Sequence, residues 1–221
     1  MDIFFNGIAR LVSFIDMIED QSYPESPSSL HSEITAEVLD EILPKYLIGN
    51  DARILDVGCG QGPALDILRS KGYSSSAGIT LNDEDVRICR EKGHNVHKMD
   101  QSFLEFPDAY FDFIWARHVL EHSIFPYFTL TEFARVLSIG GLLYLEVPAP
   151  ETSSHHETNP NHYSVLGCNC WASLLGRSGF TIDKCVKFSI TTNMGSDEYW
   201  GFICRKPHAV SSIFSPSFHQ T

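Results

Sequence analysis

The sequence predicts an α/β fold, a doubly wound and mostly parallel sheet of seven strands with an antiparallel last strand. Three observations carry this reading. Short apolar runs alternate with helical patterns between residues 53 and 147, and such alternation builds a parallel sheet with helices on both faces. The first apolar run, Ile54-Leu55-Asp56-Val57, ends in the closely spaced Gly58, Gly60 and Gly62, as a buried strand does when it turns sharply into a helix. After residue 180 two strand runs follow each other without a convincing helix between them, which favours an antiparallel hairpin-like pair at the sheet's end.

The elements follow in order. Residues 1–20 read as an amphipathic helix, with Phe4, Ile8, Leu11, Ile15 and Ile18 on one face and Asn6, Arg10, Ser13 and Asp20 on the other. That polar face is not basic, which argues against a membrane-surface role. The helix is expected to pack on the core as a lid or to form a homodimer surface, and the sequence leaves both open. SYPESPSS, residues 22–29, reads as a linker by its Pro and Ser content. A helix over 32–47 comes next. Strands are expected at Arg53–Val57, Ser76–Ile79, Asn95–Lys98, Phe111–Trp115 and Leu142–Val147, and helices at Pro63–Lys71, Asp83–Lys92 and Phe128–Leu137. A polar loop after Pro148 leads to a helix near Cys170–Ser178, then to the runs TIDKCVKFSIT and YWGFICRK. The chain thus divides into an N-terminal helix and linker (1–33), one catalytic-type domain (34–206) and a Ser-, His- and Pro-rich tail (207–221).

Composition narrows the function. With 16 Lys plus Arg against 28 Asp plus Glu, the formal charge is −12, and that field repels a phosphate backbone, so no nucleic acid partner is expected. The six cysteines lack zinc-ligand spacing, Cys168 and Cys170 forming only a C-x-C, and read as reduced thiols of a cytoplasmic protein. The apolar start carries Asp2, one early cation at Arg10 and no small-residue cleavage site, so no leader is expected. No apolar run approaches the roughly 18 residues of a membrane span.

The glycine loop points to a ligand. Glycine permits the tight turn and lets a ligand approach the backbone without a Cβ in the way. Pro63 suits the first turn of the following helix, where no N–H is needed. The spacing is G-x-G-x-G, not the dinucleotide G-x-G-x-x-G. At the end of the second strand, where a dinucleotide site places an acid for the ribose, stands Thr80 in Gly78-Ile79-Thr80-Leu81-Asn82-Asp83. Thr80 and Asn82 can bond a diol, and Asp83 fits a helix N-cap.

With these motifs the chain resembles the class I S-adenosylmethionine-dependent methyltransferases, in particular the small-molecule type 11, cyclopropane-synthase-like kind. The resemblance runs over about residues 35–206. Asp56, Gly58, Gly60 and Gly62 match D-x-G-x-G-x-G, and Met99-Asp100-Gln101 with PDAYFDFIWARHVLEH match the adenine motif and fourth strand. It implies a Rossmann-like sheet, S-adenosyl-L-methionine as cofactor and a small-molecule acceptor. It implies further that the glycine loop holds the methionine part and ribose, that Asp100 accepts from the adenine amine, and that the Gln101 backbone meets the ring edge. Main chain near Ala116 and Arg117 would face the methionine amine, and Cys59, Leu81 and Ser102 complete the expected cofactor-binding set. A side chain at Gly58 is expected to fill the ligand's space.

For methyl transfer to oxygen a base must remove a proton. His118 follows the fourth strand and His162 lies in the loop expected to cover the same mouth; one is expected as base, the other as an orienting group. His122 is expected to bond the neighbouring loop. His155, His156 and Glu157 could ligate a metal, but adjacent histidines rarely point the same way, so they read as a solvated loop and no metal is expected. Two rival readings share the fold: a nicotinamide-dependent oxidoreductase, opposed by the glycine spacing, Thr80 and Asp100-Gln101, and a cofactor-binding module without catalysis.

Overall fold

The computed structural model of the protein describes residues 2–19, 28–46, 49–192 and 195–208. Most of the expected linker and nearly all of the expected tail lie outside these residues. Strands β1 (Ile54–Val57), β2 (Ser76–Thr80), β3 (Asn95–Lys98), β4 (Phe111–Arg117), β5 (Leu137–Pro148), β6 (Thr181–Thr192) and β7 (Gly195–Arg205) form one sheet in the order β3-β2-β1-β4-β5-β7-β6. β1 to β5 pair in parallel, and β7 runs antiparallel to both β5 and β6. The expected architecture is therefore the observed one.

The helices are α1 (Asp2–Glu19), α2 (Ser29–Tyr46), α3 (Pro63–Ser70), α4 (Asp83–Glu91), α5 (Pro126–Val136) and α6 (Cys168–Arg177). Alternate residues of the central strands face opposite layers. Phe113 and Trp115 of β4 pack with Leu39, Ile42 and Leu43 of α2 and Leu68 of α3. Ile114 and Ala116 pack with Leu130 and Phe133 of α5 and Trp171 and Leu175 of α6. This two-sided burial explains why the central strands read as unbroken apolar runs. Each fully buried Leu or Phe contributes about 1.5–3 kcal/mol.

The strand order reverses between β1 and β4. Their carboxyl ends lie side by side, with Val57 opposite Ala116, and open the crevice where such sheets bind ligands. Among the departures from expectation, two are boundaries and one is the burial of a helix face. β5 begins at Leu137, directly after α5, because the chain pairs there with Phe111 of β4. α2 starts at Ser29, inside the segment read as linker. In α1, Ile8 and Leu11 are exposed, and of the predicted apolar face only Ile15 and Ile18 are half-buried among the side chains described.

Candidate active site

The glycine loop leaves β1 with Gly58, Gly60 and Gly62 all at positive φ, 69°, 48° and 82°. An L-residue is strained in that region. The loop is tied down by Cys59 N–H donating to Ile79 O at 2.9 Å and Gly62 N–H donating to Cys59 O at 2.8 Å. A Cβ at Gly58 would lie 2.6 Å from Val119. Besides any ligand space it would fill, such a side chain would therefore collide with Val119.

Two adjoining cavities meet at this loop. The larger, about 880 Å³ including its open mouth, is lined by Gly58, Gly60, Thr80, Leu81, Asp85, Met99, Asp100, Gln101 and His118, by His122, Asn161 and Tyr163, and by Ile18 of α1. The smaller, about 630 Å³, is polar and is lined by His31, Thr35, Asp56, Cys59, Trp115, Arg117 and again Gly58, Gly60 and His118.

Several expected contacts are placed elsewhere. Gly62 and Ala116 line neither cavity; Gly62 closes the turn against Cys89 and His94, and Ala116 is sealed in the core. Asn82, not Asp83, caps α4: its Oδ1 accepts from Glu84 and Asp85 N–H at 2.9 and 3.3 Å. Its side-chain oxygen is therefore engaged in the helix. Asp83 instead pairs with Lys98 on the surface. Ser102 is buried against Thr129 at 2.8 Å, and its N–H donates to Asp100 Oδ1 at 2.6 Å, which fixes the Asp100 carboxylate. The Gln101 side chain is itself buried, with Nε2 donating to Val119 O at 2.9 Å and Oε1 left without a hydrogen-bond partner. Asp85, in the first turn of α4, lines the larger cavity. It adds a carboxyl to the cavity lining to which the second strand contributes Thr80.

The end of β4 is held by one buried carboxylate. Glu146 of β5 accepts from Arg117 Nε at 2.7 Å and from Tyr144 Oη, and its Oε1 lies 2.8 Å from His118 Nε2. Arg117 also donates to Thr35 Oγ1 at 2.9 Å and His31 O at 3.3 Å, anchoring α2. Burial pushes the Glu146 carboxyl up, but hydrogen bonds and charge from His118, the Arg117 charge and the Tyr144 hydroxyl outweigh it and bring it down to about 2. For His118, burial outweighs Glu146 and holds the imidazole below its usual range. At neutral pH the pair is thus carboxylate and neutral imidazole. Nε2 carries the proton donated to Glu146, leaving Nδ1 as the ring's acceptor. His118 stacks on Tyr199, ring centroids 4.6 Å apart. It adopts φ 54°, a conformation that costs energy outside glycine and that clusters at functional sites.

A second group lies at the mouth. His122 Nδ1 bonds Asn161 O at 2.9 Å, as expected for a tie to the loop. His162 lines neither cavity. It stacks on His156 at 5.8 Å and meets His122 edge-on at 4.8 Å. Burial and the neighbouring His122 bring its pKa down to about 4. His156 is taken by Asp197, at 3.0 Å to each carboxylate oxygen, while His155 is exposed beside Glu157. His155 and Glu157 are thus solvated as expected, whereas His156 is not: it is packed in against Asp197 and Tyr199.

Glu146, Asp85, Asp197 and Tyr199 escaped the sequence reading. Glu146 had one visible signal, as the single charge in the apolar run LLYLEVP.

A glycine turn after β1, a polar β2 end and an acid–amide pair after β3, all at the switch point, define an α/β domain that binds a nucleoside-bearing cofactor. The chain belongs to the methyltransferase-domain family, whose model matches residues 30–183. It is similar to 27-O-demethylrifamycin SV methyltransferase of Amycolatopsis mediterranei, 26% identical over 58% of this chain and 52% of that one. It is also similar to tRNA U34 carboxymethyltransferase of Mannheimia succiniciproducens, 27% identical over 69% and 52%. The chain spans about half the length of these curated relatives. A solved SAM-dependent methyltransferase from Methanosarcina mazei shares the fold, with TM-score 0.64, 22% identity and coverage of 75% of this chain and 96% of that one.

The family's cofactor is S-adenosyl-L-methionine, and the residues present fit it. Asp56 is buried with Oδ2 lacking a hydrogen-bond partner, and burial pushes its carboxyl well above the usual range. A buried lone carboxyl is costly until a cation or donor reaches it, and the cofactor's ammonium is such a partner. The larger cavity is lined by the apolar Met99, Leu81 and Ile79 and by Asp100, a lining that suits a flat aromatic base bearing an amine.

Proposed function

We propose that the protein transfers a methyl group from S-adenosyl-L-methionine to a hydroxyl of a small-molecule acceptor, with His118 as the base. The observation that carries this reading is the position of His118 where the two cavities meet, hydrogen-bonded to the buried Glu146. Asp56, Gly58, Cys59 and Gly60 are proposed to hold the amino-acid end, with Arg117 and Thr35 walling it. Thr80, Leu81, Asp85, Asp100 and Gln101 are proposed to hold the nucleoside.

When bound, the cofactor supplies an electrophilic methyl on a sulfonium. The chain's own work is alignment and proton transfer. His118 Nδ1 accepts the acceptor's hydroxyl proton. Glu146 keeps the ring in the tautomer that allows this and stabilises the imidazolium that forms. Tyr163 and Asn161 wall the larger cavity and limit water, and His162 orients that loop. The net charge of −12 supports a small acceptor over tRNA, as does the likeness to a rifamycin-modifying enzyme.

The test uses His118→Asn, since Asn tolerates positive φ. The variant should lower kcat by roughly 10²–10⁴-fold while S-adenosylhomocysteine affinity stays within about threefold. Formation of that product would be followed with a panel of hydroxylated metabolites and with tRNA. An unchanged kcat refutes the base assignment, and turnover confined to tRNA refutes the acceptor class.

A further inference from the structure

We propose that Glu121, His122 and His162 form a binding site for a first-row divalent cation at the wall of the larger cavity. One ligand atom from each residue lies within 4.8 Å of the other two. A point central to such a trio is about 2.8 Å from each atom, so metal bonds of about 2.1 Å would draw them in by about 0.7 Å.

The backbone around the trio is already fixed. Glu121 and His122 share a single 3₁₀ turn, Leu120–His122, directly after β4. The loop bearing His162 is clipped to that turn, Tyr163 and Ser164 N–H donating to Glu121 O at 2.8 and 2.9 Å and Ser164 Oγ donating to Ser123 O at 2.7 Å. Residues far apart in sequence are thereby locked together before any ion arrives.

The nitrogens are set for coordination. A carbonyl can only accept, so His122 Nδ1 carries the hydrogen in its bond to Asn161 O, leaving Nε2 with its lone pair. This arrangement orients ligating histidines in metal sites. His162 Nδ1 is buried and has no hydrogen-bond partner, a cost that coordination or an added donor would remove. The Glu121 carboxyl, from a residue 2% exposed, would be the oxygen ligand. Two imidazoles with one carboxylate suit Zn(II), Mn(II), Fe(II) or Co(II) better than Mg(II), which favours oxygen ligands. Because His122 and Tyr163 line the cavity wall, the ion's open positions would face acceptor oxygens. That last step rests on the methyl-transfer reading; the ion binding does not.

Metal-free full-length protein would be titrated with Co(II), followed by visible absorption and by paramagnetically shifted imidazole N–H resonances. One equivalent should bind with shifted histidine signals and without the charge-transfer band of cobalt–thiolate bonds. His162→Ala and Glu121→Gln should each weaken binding at least about tenfold, while His155→Ala leaves it unchanged. If Glu121→Gln does not fold, His162→Ala decides. No stoichiometric binding, a thiolate band from the free cysteines, or equal affinity in His162→Ala would overturn the proposal. These readouts need no turnover, so they are separate from the His118→Asn test of the reaction.

Discussion

Glu146→Gln perturbs the site at its central contact. In the fold this carboxyl is brought from 4.5 down to about 2. At about 1.36 kcal/mol per pH unit, that corresponds to about 3 kcal/mol favouring the ionised form. Because the folded pKa is depressed, the contribution is fully present above about pH 4.5 and is lost as pH falls toward 2. Gln cannot balance the Arg117 guanidinium, which is 7% exposed, nor fix the His118 tautomer by charge. The variant should lose about 3 kcal/mol of unfolding free energy at pH 7, or about 6–12 °C in Tm for a chain of this size. Urea denaturation of both proteins from pH 7 to 3 would show the gap shrinking by about half over the acid limb. A loss below about 1 kcal/mol at pH 7, or a gap independent of pH, would refute the reasoning.

Asp56→Asn should weaken S-adenosylhomocysteine binding by about 1.5–3 kcal/mol without lowering the ligand-free Tm at neutral pH, since the raised Asp56 pKa makes its ionisation a cost there; calorimetry and thermal melts check both. Asp100→Ala should weaken the same ligand roughly 10- to 150-fold by losing a charge-assisted bond, and an unchanged Kd would place the adenine elsewhere. Gly58→Ala should lower Tm even without ligand, because its Cβ meets Val119 at 2.6 Å with φ at 69°; a melt equal to wild type would contradict that packing. The rate should rise with pH through an inflection below the usual 6.5, since burial lowers His118 and only its neutral form takes a proton; a profile centred at or above 6.5 would exclude His118 as the base.

Local signals were legible in the sequence. Gly58, Gly60 and Gly62 mark a turn that few other residues can make, and the apolar runs at β1, β4 and β5 mark strands buried on both faces. Asp100 was singled out by the family resemblance of the stretch after the third strand, and it lines the larger cavity. Long-range pairings were not legible. Glu146 lies 29 residues from Arg117, with which it pairs, and nothing local to either residue reveals the other. Asp83 and Asn82 are both good caps by type, and only the backbone selects Asn82, which is extended with φ −86°. The apolar stripe of α1 gives a face but not what that face meets.

The antiparallel course of β7 has a consequence for how the enzyme can change. Its opening residues, Asp197 to Tyr199, arrive beside Pro148 and Ala149, so the chain returns to the mouth after the parallel strands have already formed it. On the proposed reading, the cofactor is held mainly by stretches before residue 123, and 151–200 adds to His118 much of the wall that would face the acceptor. The two recognition tasks are thus separable along the gene. Grafting the later stretch from a relative should re-aim the enzyme at that relative's acceptor while its grip on the methyl donor is inherited unaltered.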